Sequence, residues 1–212
     1  PVDLAGSDLQ VDSVDGPGAF AELAYEPLRD NAVVLHRSRL SARWVRRYDV
    51  MDPRLKRAAH AMLTFNSPLS EARAAELVRD LPLAPGRHVL DLCCGWAELL
   101  LRIVEAHPAV TGTGVDTERT LLARASAQVV RRGLHRRVEL VESDVTTFAD
   151  HGDLVICVGG AHAFGGTDGA LVALADRLEQ GGTLLLGDGF WEQPPTPGAQ
   201  ELFGDLYDWD GL

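Results

Sequence analysis

Lysine, cysteine and long apolar runs are scarce in this chain. Lys56 is the only lysine; every other basic residue is arginine, a pattern of coding bias rather than chemistry. Three cysteines stand at Cys93, Cys94 and Cys157. An odd count with a vicinal pair is a poor disulfide framework and favours a reducing compartment. No spacing among them resembles a zinc site, and no metal is expected. Apolar runs such as Leu154–Val158 are strand-sized, well short of the roughly 18 residues a membrane span needs. The first residues carry acid and lack an apolar core, so no signal peptide is read there and a cytoplasmic location is expected.

What is present is ordinary globular composition over 212 residues, 46% apolar and 24% charged, enough for one domain with an appendage. The net charge of −11 makes a poor general binder of DNA or anionic membrane. The charge is uneven. Residues 1–30 hold seven acids and one arginine, and residues 36–57 hold eight basic residues. The basic block reads as a solvated face paired with the acidic arm, or as a docking patch for an acidic partner.

Residues 1–35 show no strong period and read as an arm with short helical pieces. Helical spacing begins near Leu40, and Asp52-Pro53 reads as an N-cap and first helical residue. Ser67-Pro68 starts a further helix by the same logic, with Leu69, Ala72, Leu77 and Val78 on its inner face. Strands then alternate with helices. Strands are expected at 87–92, 110–116, 137–142, 153–158 and 183–188. Helices are expected at 97–107, 118–133 and 168–180. That alternation predicts an α/β doubly wound parallel sheet. The division is 1–66, an N-terminal arm and helical cap; 67–190, the sheet domain; and 191–212, an acidic proline-rich tail.

In such a sheet, ligands bind at the carboxyl ends of the strands. The first strand ends Val-Leu-Asp-Leu-Cys-Cys-Gly-Trp-Ala-Glu, residues 89–98. This stretch resembles motif I of the class I S-adenosylmethionine-dependent methyltransferases, acid-x-Gly-x-Gly-x-Gly. Asp91 matches the acid and Gly95 the central glycine. Cys93 stands at the first glycine position and Ala97 at the third, where its methyl is expected near the methionine end of the cofactor. Thr113–Asp116 ends the second strand with the acid that, by resemblance, binds the ribose hydroxyls, beside Thr117. A carboxylate can accept both bonds of a diol. Asp116 also suits a helix N-cap. Asp144, with Val145, matches the acid that accepts from the adenine amino group; the alternative is a turn-forming aspartate. Cys157 and Gly159 end the fourth strand, where methyl acceptor and sulfonium meet. Leu178–Asp188 resembles the family's Gly-Gly turn into strand five.

The resemblance implies a Rossmann-like sheet in the order 3-2-1-4-5 that binds S-adenosylmethionine and releases S-adenosylhomocysteine. It implies methyl transfer to a small-molecule acceptor, on oxygen or nitrogen. His162, just past strand four, is the candidate general base. Trp96 either covers the cofactor or packs on the sheet. Phe65 and Asn66 either close over the methionine end or form a helix-cap loop. The family's two closing strands are not found after Asp188, so either the C-terminal part is missing or the fold is cut back to five strands, in which case strand five is expected as an edge for a homodimer partner or the tail to cover. The alternative function is a protein of this fold that has lost methyl transfer and acts as a binding partner. A nicotinamide enzyme is disfavoured, because Gly95 alone stands in the turn where Gly-x-Gly-x-x-Gly is needed.

Overall fold

In the computed structural model, residues 21–28, 31–39, 62–67 and 69–190 are described. They form one seven-stranded sheet with helices on both faces. In chain order the strands are β1 (Ala21–Leu28), β2 (Asn31–Arg39), β3 (His88–Leu92), β4 (Thr111–Asp116), β5 (Val138–Glu142), β6 (Gly152–Val158) and β7 (Leu178–Phe190). The helices are α1 (Glu71–Asp80), α2 (Glu98–Ala106), α3 (Arg119–Arg131) and α4 (Thr167–Ala175). A single 3-10 turn, Ala161–Phe164, follows β6.

The strand order is β1-β2-β7-β6-β3-β4-β5. Its last five members are the expected 3-2-1-4-5 sheet, all parallel. The central strands are apolar on both faces, as helices on both sides require. Val89, Leu154, Ile156 and Leu185 pack beneath α1, α2 and α3. Leu90, Leu92, Val155, Cys157, Leu184 and Leu186 pack beneath α4 and the 3-10 turn.

The N-terminal part differs from expectation. Residues 21–39, read as arm with helical pieces, form two strands of the same sheet. β2 runs parallel to β7, from Ala32 opposite Thr183 to Arg39 opposite Phe190. β1 pairs antiparallel to β2 at the sheet's edge. Strand β7 is therefore not an edge, and the reason for expecting a dimer partner along it disappears. Pro27 falls in the register irregularity between Tyr25 and Leu28 of this outermost strand, a place where a sheet tolerates proline. The helices expected between residues 40 and 61, and the tail after residue 190, lie outside the described residues.

Three smaller boundaries also move. Ser70, not Ser67, caps α1: its side chain accepts from Arg73 N at 3.2 Å. Ala74 and Leu77 are its buried residues, whereas Ala72 is exposed. Glu118, not Asp116, is the cap of α3, its carboxylate accepting from Thr120 N. Helix α4 ends at Ala175, five residues early, because β7 already starts at Leu178 opposite Gly152. Residues 179–182 then bulge before Thr183 resumes the ladder opposite Leu154, with Gly181 at φ +76°. A left-handed residue in a bulge is a place for glycine.

Candidate functional site

The turn after β3 is built on three successive left-handed positions. Cys93 has φ +61°, Gly95 φ +57° and Ala97 φ +57°. Only glycine adopts this region without a Cβ penalty, so Cys93 and Ala97 each carry local strain. Cys93 and Ala97 occupy the outer two glycine positions of the motif, which explains why the motif calls for glycine there. Ala97 caps α2 with its methyl buried among the helix-side core residues. It is not among the residues lining the cleft.

Asp116, at the end of β4, fastens this turn. Its Oδ2 accepts from Gly95 N at 2.7 Å and its Oδ1 from Glu118 N at 2.8 Å. Each oxygen keeps a lone pair for a further donor. Asp91 lies beneath, 5% exposed. Among the described residues no hydrogen bond reaches its carboxyl. Burial, and secondarily the charge of Asp116, push its pKa up to about 8. A buried carboxyl without a partner is suited to meet a cation.

A narrow cleft opens over Asp91. It is lined by Asp91, Cys93, Cys94 and Trp96 from β3 and its turn, and by Ile156 and Val158 from β6. Glu98 and Leu99 of α2 contribute, and Phe65, Asn66 and Ser67 close it from the chain ahead of α1. A Cβ on Gly95 would come within 2.8 Å of Asn66 Nδ2, so this closure needs glycine as well as positive φ. Ser67 Cβ lies 3.7 Å from the Cβ position of Gly159.

Trp96 holds that closing segment in place. It is 1% exposed, and its Nε1–H donates to Thr64 O at 2.7 Å. The Arg124 guanidinium of α3 stacks 3.9 Å over its ring and donates to Leu63 O at 2.9 Å. Phe65 in turn lies under Arg102, 4.8 Å from guanidinium carbon to ring centre. Trp96 thus serves chiefly as a clamp between the turn and residues 63–65.

The remaining sequence-predicted residues are spread around this centre. Thr117 is exposed next to Asp116. Asp144 is exposed; its Oδ1 accepts from Thr146 N and Oγ1 at 2.8 and 2.7 Å, a turn role that holds its carboxyl below the usual range. Val145 is buried in the core with Leu92 and Val115. Gly159 has φ +78° and donates to Gly187 O at 2.7 Å, joining the ends of β6 and β7. Cys157 is fully buried beside Cys93. His162 stands exposed on the 3-10 turn and is not among the residues lining the cleft. Sequence reasoning missed Ser67, Cys94, Glu98, Leu99, Ile156 and Val158. The alternation of Ile156 and Val158 with Leu154 on β6 was the signal available for two of them.

Comparisons with known proteins agree with this arrangement. Residues 89–182 match the model of a methyltransferase domain family. A methyltransferase from Geobacter sulfurreducens, crystallised with S-adenosyl-L-homocysteine, superposes with a TM-score of 0.64. It is 29% identical, over 71% of this chain and 61% of that one. A methyltransferase from Thiobacillus denitrificans, solved with the same molecule, gives 0.62 at 30% identity, over 71% and 62%. Residues 89–182 thus match a methyltransferase domain, on the Rossmann-like fold of the S-adenosylmethionine-dependent methyltransferases. The methyltransferase domain is also similar to the uncharacterised protein YjhP of Escherichia coli (strain K12). That protein is 32% identical over 146 residues, 68% of this chain and 58% of its own length. The chain thus spans about three fifths of the length of the relatives it matches.

Proposed function

We propose that the protein binds S-adenosylmethionine over the carboxyl ends of β3, β4 and β5 and transfers its methyl group to a small-molecule acceptor. The observation that carries this reading is the unpartnered, buried Asp91 carboxyl under a turn whose backbone is tied to Asp116. Asp91 would meet the methionine ammonium, and Asn66 and Ser67 would close over that end. Asp116 has the lone pairs for the ribose diol, and the free Oδ2 of Asp144 would take the adenine amino group. When bound, the cofactor supplies an already activated methyl, so the chain's main task is orientation. The acceptor, through oxygen or nitrogen, would enter over Gly159–Phe164, with His162 removing its proton. The three free thiols support a reducing, cytoplasmic setting.

Calorimetry with S-adenosylhomocysteine tests the cofactor reading. Binding is expected at one site, and Asp116→Ala should weaken it at least tenfold. Asp91 should also ionise as it meets the ammonium. Repeating the titration near pH 7 in buffers of different ionisation heat should show one proton released, and none for Asp91→Asn. No binding to the parent protein overturns the reading. A second reading, binding without methyl transfer, is favoured by the position of His162 outside the cleft lining. A methyl-transfer screen over small metabolites separates the two. Once an acceptor is found, His162→Ala should slow turnover and leave cofactor affinity nearly unchanged.

A further inference from the structure

Cys93, in the turn after β3, and Cys157, in β6, are more than sixty residues apart in the chain, yet their sulfurs meet at one spot. A Cβ placed on Gly160 would lie 2.8 Å from Cys93 Sγ and 2.9 Å from Cys157 Sγ. Only glycine at 160 leaves room for both. The strand register brings them there. Asp91 pairs with Ile156, so Cys93 and Cys157 sit one step apart on neighbouring strands. Regular alternation would send Cys93 to the opposite face. Its positive φ instead turns the side chain toward the core that contains Cys157. The Cys93 thiol also donates to Gly160 O at 3.8 Å, and the adjacent Cys93 thiol, with burial, pushes the Cys157 thiol's pKa up. Cys94 points elsewhere: its Sγ lies 3.0 Å from the Cβ position of Gly114.

The two thiols also differ in access. Cys93 is half-buried and lines the cleft, whereas Cys157 is fully buried. We propose that Cys93 and Cys157 are an oxidisable pair that closes to a disulfide under a peroxide and, in closing, withdraws the motif I turn from the cofactor. The sulfur of Cys93, the more accessible of the two, attacks the peroxide. The Cys93 sulfur takes one peroxide oxygen as sulfenic acid, the O–O bond breaks, and the other oxygen leaves as water. The Cys157 sulfur then displaces the hydroxyl, which leaves as a second water with the Cys157 proton. Two thiols are oxidised and one peroxide is reduced. The bond requires sulfurs about 2.05 Å apart. The contact must therefore tighten, pulling the turn that carries Gly95 toward β6 and removing the thiol donor from Gly160 O. Coupling between the pair and the cofactor is reciprocal: whatever affinity the bridge removes, bound nucleoside restores as resistance to oxidation. That coupling rests on the cofactor reading above; the crosslink does not.

The test uses the full chain treated with hydrogen peroxide, then alkylated, digested and mapped by mass spectrometry. A Cys93–Cys157 crosslinked peptide is expected, reversed by dithiothreitol. Cys94→Ala should crosslink like the parent, and Cys157→Ala should not. If Cys157→Ala fails to fold, Cys93→Gly serves, since glycine suits that φ. Crosslinks through Cys94, or none, overturn the pair. Calorimetry with S-adenosylhomocysteine is then compared on reduced and oxidised protein. At least a tenfold loss of affinity is expected on oxidation, equivalent to about 30 mV in the pair's potential when the nucleoside saturates. Equal affinities overturn the coupling while leaving the crosslink. No binding by the reduced protein instead overturns the cofactor reading.

Discussion

At pH 7 the carboxyl of Asp91 is mostly protonated, because burial and the neighbouring Asp116 hold its pKa at about 8. An unfolded chain releases that proton near pH 4. Between those values the folded state therefore holds one proton more, and stability falls as pH rises, by up to ~1.4 kcal/mol per pH unit. Above about pH 8 both states are ionised and the slope ends. Asp91→Asn removes this contribution. Urea denaturation at pH 5.5 and pH 8 should show the variant gaining on the parent by on the order of 2–3 kcal/mol between the two. The turn above Asp91 offers a second residue-scale prediction. Ala97 is strained at φ +57°. Glycine there relieves a cost of about 1–2 kcal/mol and forfeits about 0.8 kcal/mol of buried methyl. Ala97→Gly should raise the melting temperature by a few degrees. A lower melting temperature would show that the packing of the methyl outweighs its backbone strain. At this scale the sequence placed Asp91, Gly95 and Asp116 at the strand ends and turn where the structure has them. Ser67, and the meeting of Cys93 with Cys157, were not legible in it, since each depends on contact across distant segments.

Elements join the cleft through side chains that leave their own helix. Arg124 of α3 and Trp96 of the motif turn both reach the chain ahead of α1, at Leu63 and Thr64. Trp96→Phe keeps an aromatic face but deletes the Nε1–H donor together with part of the buried indole. It should increase proteolytic cutting around residues 62–67 several-fold, with a global stability loss of about 1 kcal/mol. A cutting rate equal to the parent's would remove the clamp from the account. The element boundaries show what local pattern can convey. β6 was legible because a buried parallel strand is a continuous apolar run, here Leu154–Val158, whereas β3 and β4 were placed by the acids Asp91 and Asp116 near their ends. The α4–β7 junction was misread because helical spacing runs on past Ala175, and only the pairing of Leu178 with Gly152 ends it. The cap of α1 was misplaced because Ser67-Pro68 and Ser70 are both sound starts. Burial of Leu69 decides between them, and burial is not local.

The molecule as a whole has its sheet completed from the front of the chain. β1 and β2 were not legible because an edge hairpin is half-committed by nature. It carries charge and a proline, and its partner β7 lies some 150 positions away. Removing residues 1–39 would bare the ladder of β7, an apolar edge including Leu184, Leu185 and Leu186. Such edges pair with other chains. The truncated protein should self-associate in light scattering at concentrations where the full chain does not. If it stays dispersed, β2 is not what keeps β7 from other partners.

That arrangement also sets a schedule. Ala32 emerges from the ribosome about 150 residues before Thr183, the residue it pairs with. At roughly 5–20 residues per second, synthesis alone separates them by about 8–30 s. The β1–β2 hairpin is therefore made well before the strand it pairs with, and until β7 is synthesised the inner edge of β2 has no ladder partner from this sheet. An open strand edge in that interval is a template for pairing with other chains.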